Sequence, residues 1–139
     1  MKGLKHKGFS LVEVVIAIAI VGIALLGLAQ LFTYSVLINS RSERMTKATF
    51  LAQQRIEFLR NISSTDLTAL PNPTDEQIDL DNDGIADFRR ITQIQSSGYH
   101  WDVRILVFSV EQALVPVDTL IEQASEYKVR ADISTVISR

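Results

Sequence analysis

From Phe9 to Ile38 the chain is apolar almost without interruption, and Glu13 is the only charged side chain between Phe9 and Ser40. Thirty residues of helix rise about 45 Å, against roughly 30 Å of bilayer hydrocarbon. Past Ser40 the pattern changes. Met45, Ala48, Ala52, Ile56 and Leu59 recur at spacings of three and four, with Leu51 and Ile62 widening the stripe. That period is helical. Arg41, Glu43, Arg44, Lys47, Gln54 and Arg55 take the other faces. Nothing breaks the chain at Ser40 or Ser42, so one continuous helix is predicted from Phe9 to Asn61, roughly 80 Å long. Ser63-Ser64-Thr65 after Asn61 marks its end.

The remainder alternates. Residues 63–78 are polar, contain Pro71 and Pro73, and read as a loop. Strands are predicted at Phe88–Ser96, Tyr99–Val110 and Glu126–Ser138, with a turn at Ser97-Gly98. In the second, Trp101, Val103, Ile105 and Val107 share one face. Asp102 and Arg104 lie opposite, but Leu106 and Phe108 join them, which predicts a strand covered on both sides at its end. In the third, Tyr127, Val129, Ala131, Ile133, Thr135 and Ile137 point inward, and Lys128, Arg130, Asp132 and Ser134 outward. Glu111–Ser125 holds Pro116 and reads as a loop with a helical turn at Asp118–Gln123. The consistent solution is α+β: a long N-terminal helix whose second half packs on a small antiparallel sheet. The implied organisation is a leader at 1–8, a membrane or filament-core half-helix at 9–38, an amphipathic half-helix at 39–62 and a globular head at 63–139.

Charge sharpens the N-terminus. Lys2, Lys5 and Lys7 precede the apolar run, which orients its N-terminus to the cytoplasm and its C-terminus outside. The run exceeds the 7–15 residues of a secretory h-region, and the small-residue set Ala17-Ile18-Ala19 lies inside it rather than after it. The formal net charge is −2; without those three lysines, 11 basic residues face 16 acidic ones, or −5. That balance argues against a nucleic-acid surface. There is no cysteine, so neither a disulfide framework nor a thiolate metal site exists.

Glu13 is the anomaly. A carboxylate at mid-membrane costs about 2.5–3.5 kcal/mol on insertion scales, and less near an edge. It is either a boundary glutamate snorkelling to the interface or a residue awaiting a partner charge. Lys7-Gly8-Phe9-Ser10-Leu11-Val12-Glu13 is similar to the prepilin signature of type IV pilins and type II secretion pseudopilins. The resemblance covers positions 1–60 well and the head loosely. It implies cleavage of the Gly8–Phe9 bond by a cytoplasm-facing prepilin peptidase, N-methylation of Phe9, and an assembly role for Glu13. The physics agrees. Cleavage leaves an ammonium at Phe9, four residues from Glu13 and on the same helix face. A lone carboxylate in a low-dielectric core is costly, and a paired one much less so.

Ala48–Arg60 looks like the matching stretch of V-class minor pilins and I-class pseudopilins; an amphipathic helix on a sheet would look the same. Gly22 and Gly27 suit either close packing between membrane helices or local melting on the way from lipid to filament. The helix-kinking proline of many pilins is missing from this span, and so is the disulfide that bounds the C-terminal loop of many Gram-negative pilins.

The head offers one candidate ligand site. Asp79, Asp81, Asp83 and Asp87 stand at positions one, three, five and nine of a loop with Gly84 at six, the opening of an EF-hand-type calcium pattern. Arg90 replaces the bidentate glutamate at position twelve, as in the shorter loops of dockerins and thrombospondin repeats, so Asp75, Glu76, carbonyls or water would complete the shell. The bland alternative is an acidic solvated turn. No cofactor is otherwise required. His6 and His100 stand alone, without a nucleophile–base set, and no enzyme is expected. The function expected is a minor pilin of a type IV pilus or related fibre. The alternatives are an I-class pseudopilin of a type II secretion system and a signal-anchored binding protein that never polymerises. Implied partners are other pilin or pseudopilin subunits, the prepilin peptidase/methyltransferase, the inner-membrane assembly platform and the membrane itself.

Overall fold

A computed structural model describes residues 8–138; the leader lysines and His6 lie outside the described residues. The order is α1 (Leu11–Asn61), α2 (Ser64–Ala69), β1 (Thr74–Ile78), β2 (Phe88–Ser96), β3 (His100–Ser109), a 3-10 turn (Val110–Gln112), α3 (Val117–Glu122) and β4 (Ala131–Ser138). The chain divides into two compact units, one ending at Arg41 and the other beginning at Ser42.

In the first unit, α1 begins at Leu11 rather than at the predicted Phe9. The Ser10 carbonyl accepts the first helical bonds, from the Glu13 N–H at 3.0 Å and the Val14 N–H at 3.2 Å. Phe9 and Ser10 are therefore the flanking residues of the helix, within the usual latitude of a helix end. Glu13 falls in the first turn, where the positive end of the helix dipole favours a carboxylate. From Leu11 to Ile38 no side chain is buried. The helix is long and apolar enough to cross a membrane, by length and composition.

In the second unit, Ala48, Leu51, Ala52, Ile56 and Leu59 of α1 are buried against one face of a four-stranded antiparallel sheet of order β1-β2-β3-β4. Met45 belongs to the predicted stripe but is 54% exposed, because the buried part of the stripe begins only at Ala48. β2 and β3 pair Ile94 with Val103, and β3 and β4 pair Ile105 with Ile133. That register sends Val103, Ile105 and Val107 towards the helix with Phe88, Ala131 and Ile137. Leu106 and Phe108 point the other way, into a second core with Ile91, Leu120 and Ala124. The two-sided β3 expected from its pattern is present, with α3 supplying the second cover. Burying each of these large side chains stabilises the fold by about 1.5–3 kcal/mol.

Two segments correct the reading of the sequence. Residues 63–78 are not all loop. Ser63 caps α2, its Oγ accepting from the Asp66 N–H at 3.2 Å, and Leu67 plugs the helix into the first core. β1 follows with the sequence Thr-Asp-Glu-Gln-Ile. It is an edge strand with one apolar side chain, so alternation could not reveal it. It is held by ion pairs from Asp75 to Arg89 and from Glu76 to Arg90. The last strand begins at Ala131, not Glu126. Lys128 has a left-handed φ of 53° and turns the chain, so Tyr127 and Val129 pack on the second core rather than in line with Ala131. β3 is shorter by one residue at each end than predicted, and the turn expected at Asp118–Gln123 is α3.

Candidate functional site

The predicted cleavage junction, Gly8–Phe9, is open. Phe9 is 83% exposed, and a Cβ added at Gly8 would meet nothing within 4 Å. The chain's own packing therefore does not demand glycine at position 8. Among the described residues Glu13 has no ion-pair partner, so any counter-charge must come from elsewhere. Gly22 and Gly27 are equally uncrowded, so the isolated subunit gives no packing reason for either.

The acidic loop connects β1 to β2, and the Asp87 N–H closes on the Ile78 carbonyl at 2.8 Å. Inside it, Asp79 accepts from the Asn82 and Gly84 N–H groups, both at 2.8 Å. Asp81 accepts from the Asp83 N–H at 3.3 Å, and Asp87 from the Leu80 N–H at 3.0 Å. Left-handed backbone at Asn82 (φ 58°) and Gly84 (φ 87°) makes this winding possible; glycine suits the second position because it carries no Cβ. One oxygen from each of Asp79, Asp81 and Asp87 lies within 4.8 Å of the others. Asp83 is outside this trio; its carboxylate accepts from the Ile85 N–H at 2.8 Å.

The electrostatics follow the bonds. The Gly84 N–H, then that of Asn82, hold the Asp79 carboxyl below its ordinary range. The Asp83 N–H pulls Asp81 down, but the charges of Asp83 and Asp87 with desolvation push it up by more, so its net shift is upward. Lys47 on α1 is raised, first by its hydrogen bond to Glu43, with smaller contributions from Asp87 and Asp81. The loop therefore lies in the field of the helix.

Sequence reasoning missed the arginines that position this loop. Arg89 is buried and grips Asp75 through Nε and NH2, both at 2.9 Å. Arg90 reaches Glu76 with Nε at 2.9 Å and the Leu51 carbonyl with NH1 at 2.9 Å, tying β2 to α1. Arg55 is buried too, although its charge assigned it to an outer face; it stands four residues from both Leu51 and Leu59, in line with the buried stripe. It reaches across to Glu76 at 3.4 Å. The available signal was the acidic pair Asp75-Glu76 and the basic pair Arg89-Arg90 on either side of one loop, which is the charge pattern of a hairpin.

No catalytic set forms at His100. Its Nε2 lies 3.6 Å from Asp102, while Ser97 donates to that same aspartate at 3.1 Å rather than to the imidazole. The histidine is thus not placed to take the hydroxyl proton.

A family model described as the prokaryotic N-terminal methylation motif matches residues 4–29. No curated protein and no solved structure matches the chain. With that motif leading into a long apolar helix, and the helix packed on a four-stranded antiparallel sheet, the chain fits a type IV pilin-like protein.

Proposed function

We propose that the chain is a structural subunit, a minor pilin, of a type IV pilus or related fibre. The observation that carries this reading is one carboxylate, Glu13, in the first turn of a helix that holds no other charged side chain before Arg41, just past an open Gly8–Phe9 junction. Peptidase cleavage there converts the Phe9 amide into an amine, which is then methylated. The ammonium pairs with Glu13 of its own chain or of a neighbour as the helix leaves lipid for the fibre. Before that step the subunit stands in the cytoplasmic (inner) membrane, head outside, as the leader lysines orient it. A second reading, an I-class pseudopilin, rests on the stretch Ala48–Arg60, which resembles both classes alike; neighbouring genes for a secretion system or for pilus biogenesis separate the two.

Mass spectrometry of the chain's N-terminus, with and without the peptidase, is the test. A mass beginning at methylated Phe9 is expected, and only when the peptidase is present. An intact Met1 would leave the chain a plain signal-anchored protein.

The same subunit binds calcium in the β1–β2 loop through Asp79, Asp81 and Asp87, whose oxygens already converge. For a site with a Kd of about 1 mM, 10 mM calcium contributes about 1.4 kcal/mol. That raises the thermal midpoint by about 5–10 °C. Asp81→Asn is expected to abolish the rise, and a parent chain indifferent to calcium would exclude the site.

A further inference from the structure

The second half of α1 and α3 cover opposite faces of one sheet, and they carry opposite charge. From Ser42 to Asn61 the helix holds Arg44, Lys47, Arg55 and Arg60 against Glu43 and Glu57. Both of its glutamates are engaged locally, Glu43 with Lys47 at 2.8 Å and Glu57 with Arg60 at 3.2 Å. Between Arg104 and Lys128 there is no basic residue. That stretch carries Glu111, Asp118, Glu122 and Glu126, all exposed.

On the basic side, Gln54, Arg55, Phe58 and Arg90 line a notch of about 230 Å³ between α1 and β2. That is less than the roughly 300–1,000 Å³ of small-molecule pockets and suits a single side chain. Two guanidinium groups share one carboxylate here. Arg90 takes Glu76 and the Leu51 carbonyl. Arg55 is left with the longer 3.4 Å contact to Glu76 and the face of Phe58 at 5.2 Å. The residue is only 8% exposed, and its Nε has no hydrogen-bond partner. A buried donor without an acceptor is costly, most of all on a charged group. Burial holds the Arg55 pKa below its ordinary value; Glu76 opposes this and Arg90 adds to it. A second carboxylate at the notch would cancel the surplus charge that two guanidinium groups leave over one Glu76.

We propose that this notch receives a carboxylate from the acidic segment 111–126 of a second copy of the chain. The contact deepens the filament reading and rests on it in supposing that copies meet. It joins the helix side of one head to the α3 side of the next. Such a heterologous contact leaves one unused face on each copy of a pair, so it extends a row wherever its rotation does not close a ring.

The absence of cysteine makes engineered cysteines clean reporters. Full-length Gln54→Cys and Gln123→Cys chains, purified separately in neutral detergent, are mixed with a short bismaleimide. A cross-linked heterodimer is expected, well above the homodimers that either chain gives alone. Its yield should fall about tenfold when Arg55→Gln is added to the first chain, or when Glu111→Gln, Asp118→Asn, Glu122→Gln and Glu126→Gln are added to the second. The acid-side changes touch only exposed residues, so they decide the matter if Arg55→Gln unfolds the head. No heterodimer, or a yield indifferent to the acid-side changes, overturns the proposal. The N-terminal mass separates the two readings. No heterodimer from chains beginning at methylated Phe9 removes the contact and leaves the subunit. A heterodimer from chains that cells leave uncleaved does the reverse.

Discussion

Replacing Arg89 with methionine is expected to lower the thermal midpoint of the full chain by about 12–24 °C, read by circular dichroism in detergent. Arg89 is 4% exposed and lies where β1, β2 and the segment after β3 meet. Besides gripping Asp75, its NH1 donates to the carbonyls of Gln112 at 2.7 Å, Ala113 at 3.3 Å and Val115 at 2.6 Å. One planar fork therefore fastens an edge strand to the turn that leads into α3. The Asp75 side chain is 37% exposed, so solvent screens part of that ion pair. The larger loss is the Ala113 and Val115 carbonyls and a carboxylate deprived of this donor; the Gln112 carbonyl keeps the Val115 N–H at 3.2 Å. Together these cost about 3 kcal/mol. In a domain of this size each kcal/mol shifts the midpoint by about 4–8 °C. Arg89→Lys is expected to recover little, because a single ammonium cannot reproduce the fork. A methionine variant that melts with the parent would show that the turn and the edge strand hold without it.

What the sequence made legible depended on whether apolar spacing or polar chemistry shaped each element. The long helix was readable because apolar residues repeat along it, and β3's two-sided burial followed from Leu106 and Phe108 interrupting its polar face; the strand Phe88–Ser96 looked ragged because Phe88 and Ile94 face one core and Ile91 the other. β1 was invisible because charge holds it: Asp75 and Glu76 looked like loop residues until Arg89 and Arg90 came opposite. α2 was lost for a related reason. Its six residues carry one buried anchor, Leu67, and its start rests on the Ser63 cap. Arg55 was misplaced because its charge outweighed its spacing: it lies in line with Leu51 and Leu59 on the buried stripe, where Glu76 of a neighbouring strand offsets the charge. The acidic loop was half readable. The aspartate spacing predicted convergence, and Asp79, Asp81 and Asp87 do converge, but the backbone turn gave the Asp83 carboxylate to the Ile85 N–H instead.

The second large effect concerns Glu13. The helix that carries it has no buried side chain from Leu11 to Ile38, and on the proposed function its surroundings are lipid and then other subunits. In lipid the carboxylate is a cost of up to about 2.5–3.5 kcal/mol, and removing it should ease insertion. In a packed fibre the sign reverses. The ammonium left at Phe9 by processing is then the buried charge, and losing its partner costs about 3–5 kcal/mol. Each 1.4 kcal/mol is tenfold in an equilibrium, so incorporation should fall by at least about a hundredfold.

Co-expression of tagged Glu13→Leu with the parent chain reads this directly. The ratio of variant to parent in sheared fibres is divided by the same ratio for processed chains in the membrane. A quotient of about 0.01 or less is the expected result. A quotient near one, with both chains beginning at methylated Phe9, would mean that the carboxylate does not meet the new amine in the fibre.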